Sequence, residues 1–436
     1  MIELQQVLVC AEGRRCLSAT PARKPARTRL NQEIIASCSA RVLCELVQKR
    51  RSDMNGVNAA TAYRKLLLRQ FDAEQTSSAL EADPAIGEAL GMLERLVMAK
   101  APSLGAREVS NALHALATCK ARKPCDGLMV AMEERLLEVS PELSAQGVAN
   151  SLWALASLNK TTESACQPNV KLLEALVLRA SDVVQELSPQ GISNTLWSLA
   201  RLRFPLAQPE YIALVKLLAD RAIEVSQSLN TQEISITLWA LAKLGLKTNR
   251  KLLNAISERA LAVAHESKPQ ETSNILWAFA KMRVRPDPKL SLVLMQRTES
   301  VGTGFKAQEL SNSLYALTRL GLEPSPTLLH VLTSRTLEVA HKMNAHAIST
   351  TLQAFSKLRV AEQVDQEVVL SLTQRAEAIC HDFKPREIHD TLVAFSKLGQ
   401  FPGHLLQLLL SCAQPLDCQT SAAKKSAVLE AQHSPM

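Results

Sequence analysis

Six cations recur in one sequence context: Arg201, Lys243, Lys281, Arg319, Lys357 and Lys397 each stand four residues beyond the centre of a segment resembling ISNTLWSLARL. The centres of these segments carry aromatics through much of the chain, as Trp153, Trp197, Trp239, Trp277 and Tyr315, and three residues before most centres stands an amide, as Asn150, Asn194, Asn274 and Asn312. A cation neutralises phosphate, an amide bonds a base edge and a ring stacks on a base face, so the three rows together suit single-stranded nucleic acid. Each row also has a packing reading. Tryptophans fill gaps between helices, asparagines bond neighbouring backbones, and one lysine per helix is an ordinary solvated face.

Eight such segments follow one another, centred on His114, Trp153, Trp197, Trp239, Trp277, Tyr315, Gln353 and Val393. Their spacings of 39, 44, 42, 38, 38, 38 and 40 residues define a 38-residue repeat with short loop insertions. A second apolar-periodic segment precedes each of the last seven. It carries an arginine eleven residues before a recurrent polar position: Arg135/Gln146, Arg179/Gln190, Arg221/Gln232, Arg259/Gln270, Arg297/Gln308, Arg335/His346 and Arg375/Arg386. The unit is therefore helix A, turn, helix B. Ser188-Pro189, Asn230-Thr231, Lys268-Pro269 and Lys384-Pro385 open B helices, with Glu233, Glu271, Glu309 and Glu387 near the third position, where a carboxylate meets free backbone N–H groups. Gly245, Gly321 and Gly399 read as left-handed stops, and Pro205, Pro286 and Pro324 prevent continuation. The helix A arginines, at the edge of the apolar stripe, are expected to tie one repeat to the next through carbonyls or carboxylates.

With the segment centre as zero, a helical wheel at about 100° per residue gathers positions −5, −1, +2 and +5 on one side, as Ile192, Leu196, Leu199 and Leu202. That side must face helix A. Small residues at +1 and +3, such as Ala240 and Ala242, allow adjacent B helices to approach closely. Positions −7, −3, 0 and +4 remain for the free face, which therefore carries the recurrent glutamine, asparagine, aromatic and cation. The glutamines also sit where they could satisfy the helix terminus. The fold expected is all-α, an α-solenoid of about eight helix-turn-helix repeats.

Composition agrees. Hydrophobic residues are 47% of the chain but aromatics only 3%, and there are 14 glycines in 436 residues, which suits closely packed Leu/Ala-rich helices. The ten cysteines form no paired CxxC pattern, so neither a disulfide framework nor a zinc site is expected. The formal net charge of +8 biases the surface modestly towards polyanions. No apolar run is long enough to span a bilayer, so no membrane insertion is expected. Residues 1–50 read as a basic leader, with Arg14, Arg15, Arg23, Lys24, Arg27 and Arg29 and no acid between Gly13 and Gln32; it is either an organelle transit peptide or a disordered extension. Capping helices and a linker are expected over 51–85, the repeat array over 86–400, and a capping helix with a disordered tail over 401–436.

The B segment, exemplified by Ile192 to Leu202, resembles that of the octotricopeptide repeat family, and Gln208-Pro209-Glu210-Tyr211 is a remnant of that family's proline-rich motif. The resemblance implies an α-solenoid that binds specific organellar RNAs in the mitochondrion or chloroplast and governs their stability, processing, splicing or translation, alongside other RNA-processing proteins. Without an organelle signal the chain would be cytoplasmic. The stretch after Gly399 is too short for the C-terminal RAP domain of some relatives. No GxxxxGK[ST], HExxH, GxSxG or GxGxxG motif is present, so no enzyme and no cofactor are expected; His381, His389 and Asp390 are near in sequence but do not read as a metal site. The competing reading is an armadillo-like scaffold holding an extended peptide. A cation in six successive units favours the nucleic acid.

Overall fold

The computed structural model describes residues 26–68, 83–119, 125–159, 169–202, 208–245, 249–358, 366–399 and 403–412. The leader before residue 26, Pro205 and the tail beyond residue 412 lie outside the described residues. All regular structure among those described is helical, and it falls into two compact units, residues 1–104 and 105–436.

The first unit holds α1 (Ala26–Ala36), α2 (Ala40–Arg50), α3 (Gly56–Leu67) and α4 (Pro84–Lys100). Helices α1 and α2 thus occupy the second half of the span read as a basic leader, with Leu30, Ile34, Leu43 and Val47 buried. Between α2 and α3 the chain makes a 3₁₀ turn, buries the extended Met54, and starts again at an Asn55/Asn58 reciprocal cap. Gly56 fits closely there. A Cβ at this position would approach Leu104 Cδ2 to 2.8 Å.

The second unit repeats the same step seven times. Its B helices are α5 (Ala106–Thr118), α7 (Ala145–Leu158), α9 (Pro189–Leu202), α11 (Thr231–Leu244), α13 (Pro269–Met282), α15 (Ala307–Leu320), α17 (Ala345–Lys357) and α19 (Pro385–Lys397). Its A helices are α6 (Asp126–Val139), α8 (Val170–Asp182), α10 (Pro209–Glu224), α12 (Arg250–Val263), α14 (Pro288–Val301), α16 (Pro326–Val339) and α18 (Gln366–Ala378), and α20 (Gly403–Cys412) follows the last B helix. Each A helix tightens into a 3₁₀ turn and then one buried extended residue, such as Leu229, Phe305 or Met343, before helix B begins. Ile192, Leu196, Leu199 and Leu202 are buried, as the wheel requires. Gly245, Gly321 and Gly399 all have φ between +62° and +67°, so they are the left-handed stops expected.

The helix A arginines are what join repeats. Arg179 Nε donates to Leu143 O at 2.8 Å, Arg259 to Leu229 O at 2.8 Å, Arg297 to Ser267 O at 2.8 Å, Arg335 to Phe305 O at 2.7 Å and Arg375 to Met343 O at 3.0 Å. Every acceptor is the residue before the N-cap of a B helix in the preceding repeat, where the backbone is extended and its carbonyl has no ladder partner. The outer nitrogens reach acids one turn on, as Arg135 with Glu138 at 2.7 Å and Arg221 with Glu224 at 2.8 Å. Arg221 differs: its Nε is buried without a hydrogen-bond partner.

The glutamates cap as expected. Glu233, Glu271, Glu309 and Glu387 accept from the backbone N–H of Asn230, Lys268, Lys306 and Lys384 at 2.8–3.0 Å. Glu271 is buried and accepts Thr231 Oγ1 of the preceding B helix at 2.7 Å as well, so one carboxylate serves two repeats.

Arg259→Ala strands the Leu229 carbonyl and should destabilise the fold by about 1–3 kcal/mol, whereas Arg221→Ala, which breaks no such bond, should cost less; thermal unfolding of the two variants checks the order. Glu271→Ala should cost about 1.5–3 kcal/mol, more than Glu233→Ala, because it removes two charge-assisted hydrogen bonds instead of one; equal losses in urea denaturation would contradict the shared cap.

Candidate nucleic-acid interface

The rows on the B helices line up because B packs directly on B throughout the second unit. Residues at +1 (Ala115, Ala154, Ser198, Ala240, Ala278, Ala316, Ala354 and Ala394) are all buried. So are two hydroxyl rows that the sequence reading passed over. Ser193, Ser235, Ser273, Ser311 and Ser349 stand at −4, and Ser151, Thr195, Thr237, Ser313, Thr351 and Thr391 at −2, each at most 3% exposed. On the wheel −4 joins +3 on one flank while −2 joins +1 on the other, so each B helix offers a small-residue flank to the helix before it and another to the helix after. Most −4 hydroxyls bond their own helix, as Ser235 Oγ to Gln232 O at 2.9 Å, but Ser273 Oγ reaches Glu309 O of the next B helix at 2.7 Å. Alternating serine in a Leu/Ala-rich helix was the available signal.

On the remaining face the four rows are unequally exposed. The glutamines Gln146, Gln190, Gln232, Gln270 and Gln308 are exposed and their side chains bond none of the described residues; the neighbouring glutamates and N-cap residues satisfy the helix starts instead. Asn150, Asn194, Asn274 and Asn312 are half-buried, with side-chain amides that likewise bond none of the described residues. The fourth unit has Ile236 in the asparagine position, and the last has Asp390, which lies 3.8 Å from Arg386.

The aromatics form a half-buried floor. Trp153 stacks on Trp197 with centroids 6.4 Å apart at 29°, Trp239 on Trp277 at 6.3 Å and 28°, and His114 extends the row against Trp153 at 4.9 Å. Tyr315 continues the position half-buried; Gln353 and Val393 end its aromatic character. Ring faces are thus turned on one another across repeats, which leaves ring edges and the half-exposed indole surface for a ligand.

At the far end of the face, Lys243, Lys281, Arg319, Lys357 and Lys397 are exposed and make no ion pair or hydrogen bond among the described residues. Lying in the last turn of their helices, they also complement the negative end of the helix dipole. Arg201 behaves otherwise. Its Nε donates to Ala156 O of the preceding B helix at 3.2 Å, its guanidinium lies 4.9 Å from the Trp197 ring centroid, and burial pulls its pKa below the ordinary arginine range. It is a cation engaged inside the protein, while the other five point out. Eleven residues separate the −7 amides from the +4 cations, a distance of about 16 Å along the helix. The glutamates that cap the B helices stand at −6, beside the amide row and next to the cap lysines Lys268, Lys306 and Lys384, far along the helix from the +4 cations.

Among the described residues no group of three His, Cys, Asp or Glu gathers as metal ligands would, and no helix is long and apolar enough to cross a membrane.

Comparison with solved structures gives likenesses of low superposition. A homology model of the full-length AP-3 complex matches at 12% identity and TM-score 0.28, covering 92% of this chain and 83% of that one. The crystal structure of an engineered protein matches at 13% and 0.19, covering 93% and 99%, and a circular tandem repeat protein at 13% and 0.19, covering 90% of each. No curated protein matches. Two overlapping stretches, residues 169–325 and 282–416, match the family described as RNA-editing substrate-binding complex 6 protein. Together these stretches run from 169 to 416, more than half of the 436 residues and mostly over the A/B array, so the chain belongs to the RNA-editing substrate-binding complex 6 protein family, an RNA-associated family of helical repeats.

Proposed function

We propose that this chain is a non-enzymatic RNA-binding scaffold that holds single-stranded RNA across the free face of its B helices, within a mitochondrial RNA-editing or RNA-processing assembly. The observation that carries it is the row of five exposed, unpaired cations on five consecutive B helices, Lys243, Lys281, Arg319, Lys357 and Lys397. One positive charge per packed helix, at the spacing of neighbouring helices, is a track for a phosphodiester backbone. Where the track crosses α13 and α15, bases directed towards the −7 end meet the half-buried Asn274 and Asn312 amides and then the exposed Gln270 and Gln308 amides, both able to donate to and accept from a base edge. The indoles, being stacked on each other, serve as an apolar floor for bases; insertion between them would require opening the array. Arg201 holds its repeat to the one before and is left out of the track.

Family membership supports the RNA partner and an editing complex as the setting, and the octotricopeptide-like B segment supports selectivity for sequence. The amide and cation rows would also suit a peptide, in which case the asparagines bond its backbone and the five cations demand that it be acidic.

Changing Lys243, Lys281, Arg319, Lys357 and Lys397 together to Gln should leave helicity and the unfolding midpoint near those of the parent while sharply weakening single-stranded RNA binding. At roughly 0.7 per phosphate contact, the five cations should contribute about 3.5 to the parent's slope of log affinity against log salt, and the slope should flatten by that amount in the variant. A variant that binds with the parent's affinity and slope removes the cation track; a parent that ignores RNA but binds an acidic peptide supports the scaffold reading instead.

A further inference from the structure

The B helices do not all stop in the same way. At the position six residues after the centre, Gly245, Gly321 and Gly399 adopt the left-handed conformation, and so does Arg283, with φ +59°. Arg283 is the one non-glycine residue with positive φ among the described residues. The hydrogen bonds that close α13 around it, Arg283 N to Ala280 O at 3.2 Å and Val284 N to Phe279 O at 3.1 Å, repeat those around Gly321, where Gly321 N meets Thr318 O and Leu322 N meets Leu317 O at 2.9 Å. Glycine therefore does the same backbone work without the clash that a side chain brings to this conformation. A costly residue in a position that sibling repeats fill with glycine calls for a reason outside the fold.

The side chain itself supplies one. Arg283 and Arg285 are exposed, Lys281 of the cation row lies two residues before, and none of the three makes an ion pair or hydrogen bond among the described residues. At the equivalent Gly245 and Gly321 an added Cβ would meet nothing within 4 Å, so the position has room for a side chain to leave the backbone. The nearest carboxylate in sequence, Asp287, is taken up by the backbone N–H groups of Lys289 and Leu290 at 2.9 and 3.0 Å. In sequence the position alternates, with Arg203, Gly245, Arg283, Gly321, Arg359 and Gly399 in six successive units; Arg203 and Arg359 lie outside the described residues.

We propose that Lys281, Arg283 and Arg285 form a phosphate anchor, the point of the array that grips the RNA backbone most firmly, with the two guanidiniums making bidentate contacts to adjacent phosphates that a lone lysine cannot make. This rests on the RNA reading above. The anchor is placed where the track passes α13, between the flanking cations Lys243 and Arg319.

The test uses the full chain and a labelled, unstructured single-stranded RNA titrated over a range of salt. Arg283→Gly should raise the unfolding midpoint, because the strain is relieved, and at the same time weaken binding and flatten the salt slope by about 0.7; Arg283→Gly with Arg285→Ala should flatten it by about 1.4. Arg283→Lys should keep the slope but lose affinity. If the parent binds RNA and Arg283→Gly and the double variant bind with unchanged affinity and slope, the anchor is overturned while the track stands. If the parent does not bind RNA, the RNA reading fails and takes the anchor with it.

Discussion

Two neighbouring B helices can share a ligand only if they are held side by side at one spacing and in one register, and in this chain both conditions are met by small buried side chains. Alanine at +1, serine at −4 and serine or threonine at −2 remove the bulk that would hold the helices apart, so the backbones meet along their length. Everything on the free face inherits its order from that contact. The indoles reach each other at 6.3–6.4 Å because the helices do, and the cations form a row because each occupies the same turn of an identically placed helix. The arginine-to-carbonyl bonds then fix the rise from one repeat to the next, since each grips the same carbonyl of the same turn.

The face so produced is polar at both ends and apolar in the middle, with both signs of charge at its start and cations alone at its finish. Glutamates stand at the start of the B helices, where the helix dipole favours them and the backbone N–H groups engage them. Cations stand at the finish, where nothing in the described protein answers them. An anion laid on the face is thus drawn towards the cation edge, since at the other end the glutamates stand beside Lys268, Lys306 and Lys384 at the helix caps and cancel them.

Much of this was legible in the residues. The tryptophan-centred segment located the B helices, because Leu-Trp-Ala-Leu at a fixed interval is a strong pattern, the cap dipeptides gave the starts at Pro189, Thr231, Pro269 and Pro385, and the arginine register pointed to inter-repeat ties that do exist. The buried hydroxyl rows were only half legible: their alternation shows in the sequence, but serine at −4 suits a solvated face as well as a helix contact, and only the packing tells which. Arg201 shared the sequence position of the other cations, yet its neighbour Trp197 and the carbonyl of Ala156 draw it inwards. Helix α3 falls in the span expected to hold capping helices, but its kinship with the B helices was hidden because it carries Arg64 and Leu68 where later B helices have tryptophan and a cation, although its turn, cap and buried Met54 follow the common plan. Left-handed Arg283 was hidden as well, since the sequence there offers no glycine to announce the turn.

The arginine ties have a direction. Each donor in an A helix reaches a carbonyl that precedes it in the chain by 30, 32 or 36 residues, in the repeat made just before. No repeat in the array waits for a later one in order to accept its predecessor, and no tie spans more than one hairpin. A ribosome delivering this chain releases, with every new A helix, the side chain that locks down the turn already outside the exit tunnel. Assembly can therefore advance at the pace of synthesis, with only the most recent hairpin's apolar face left uncovered.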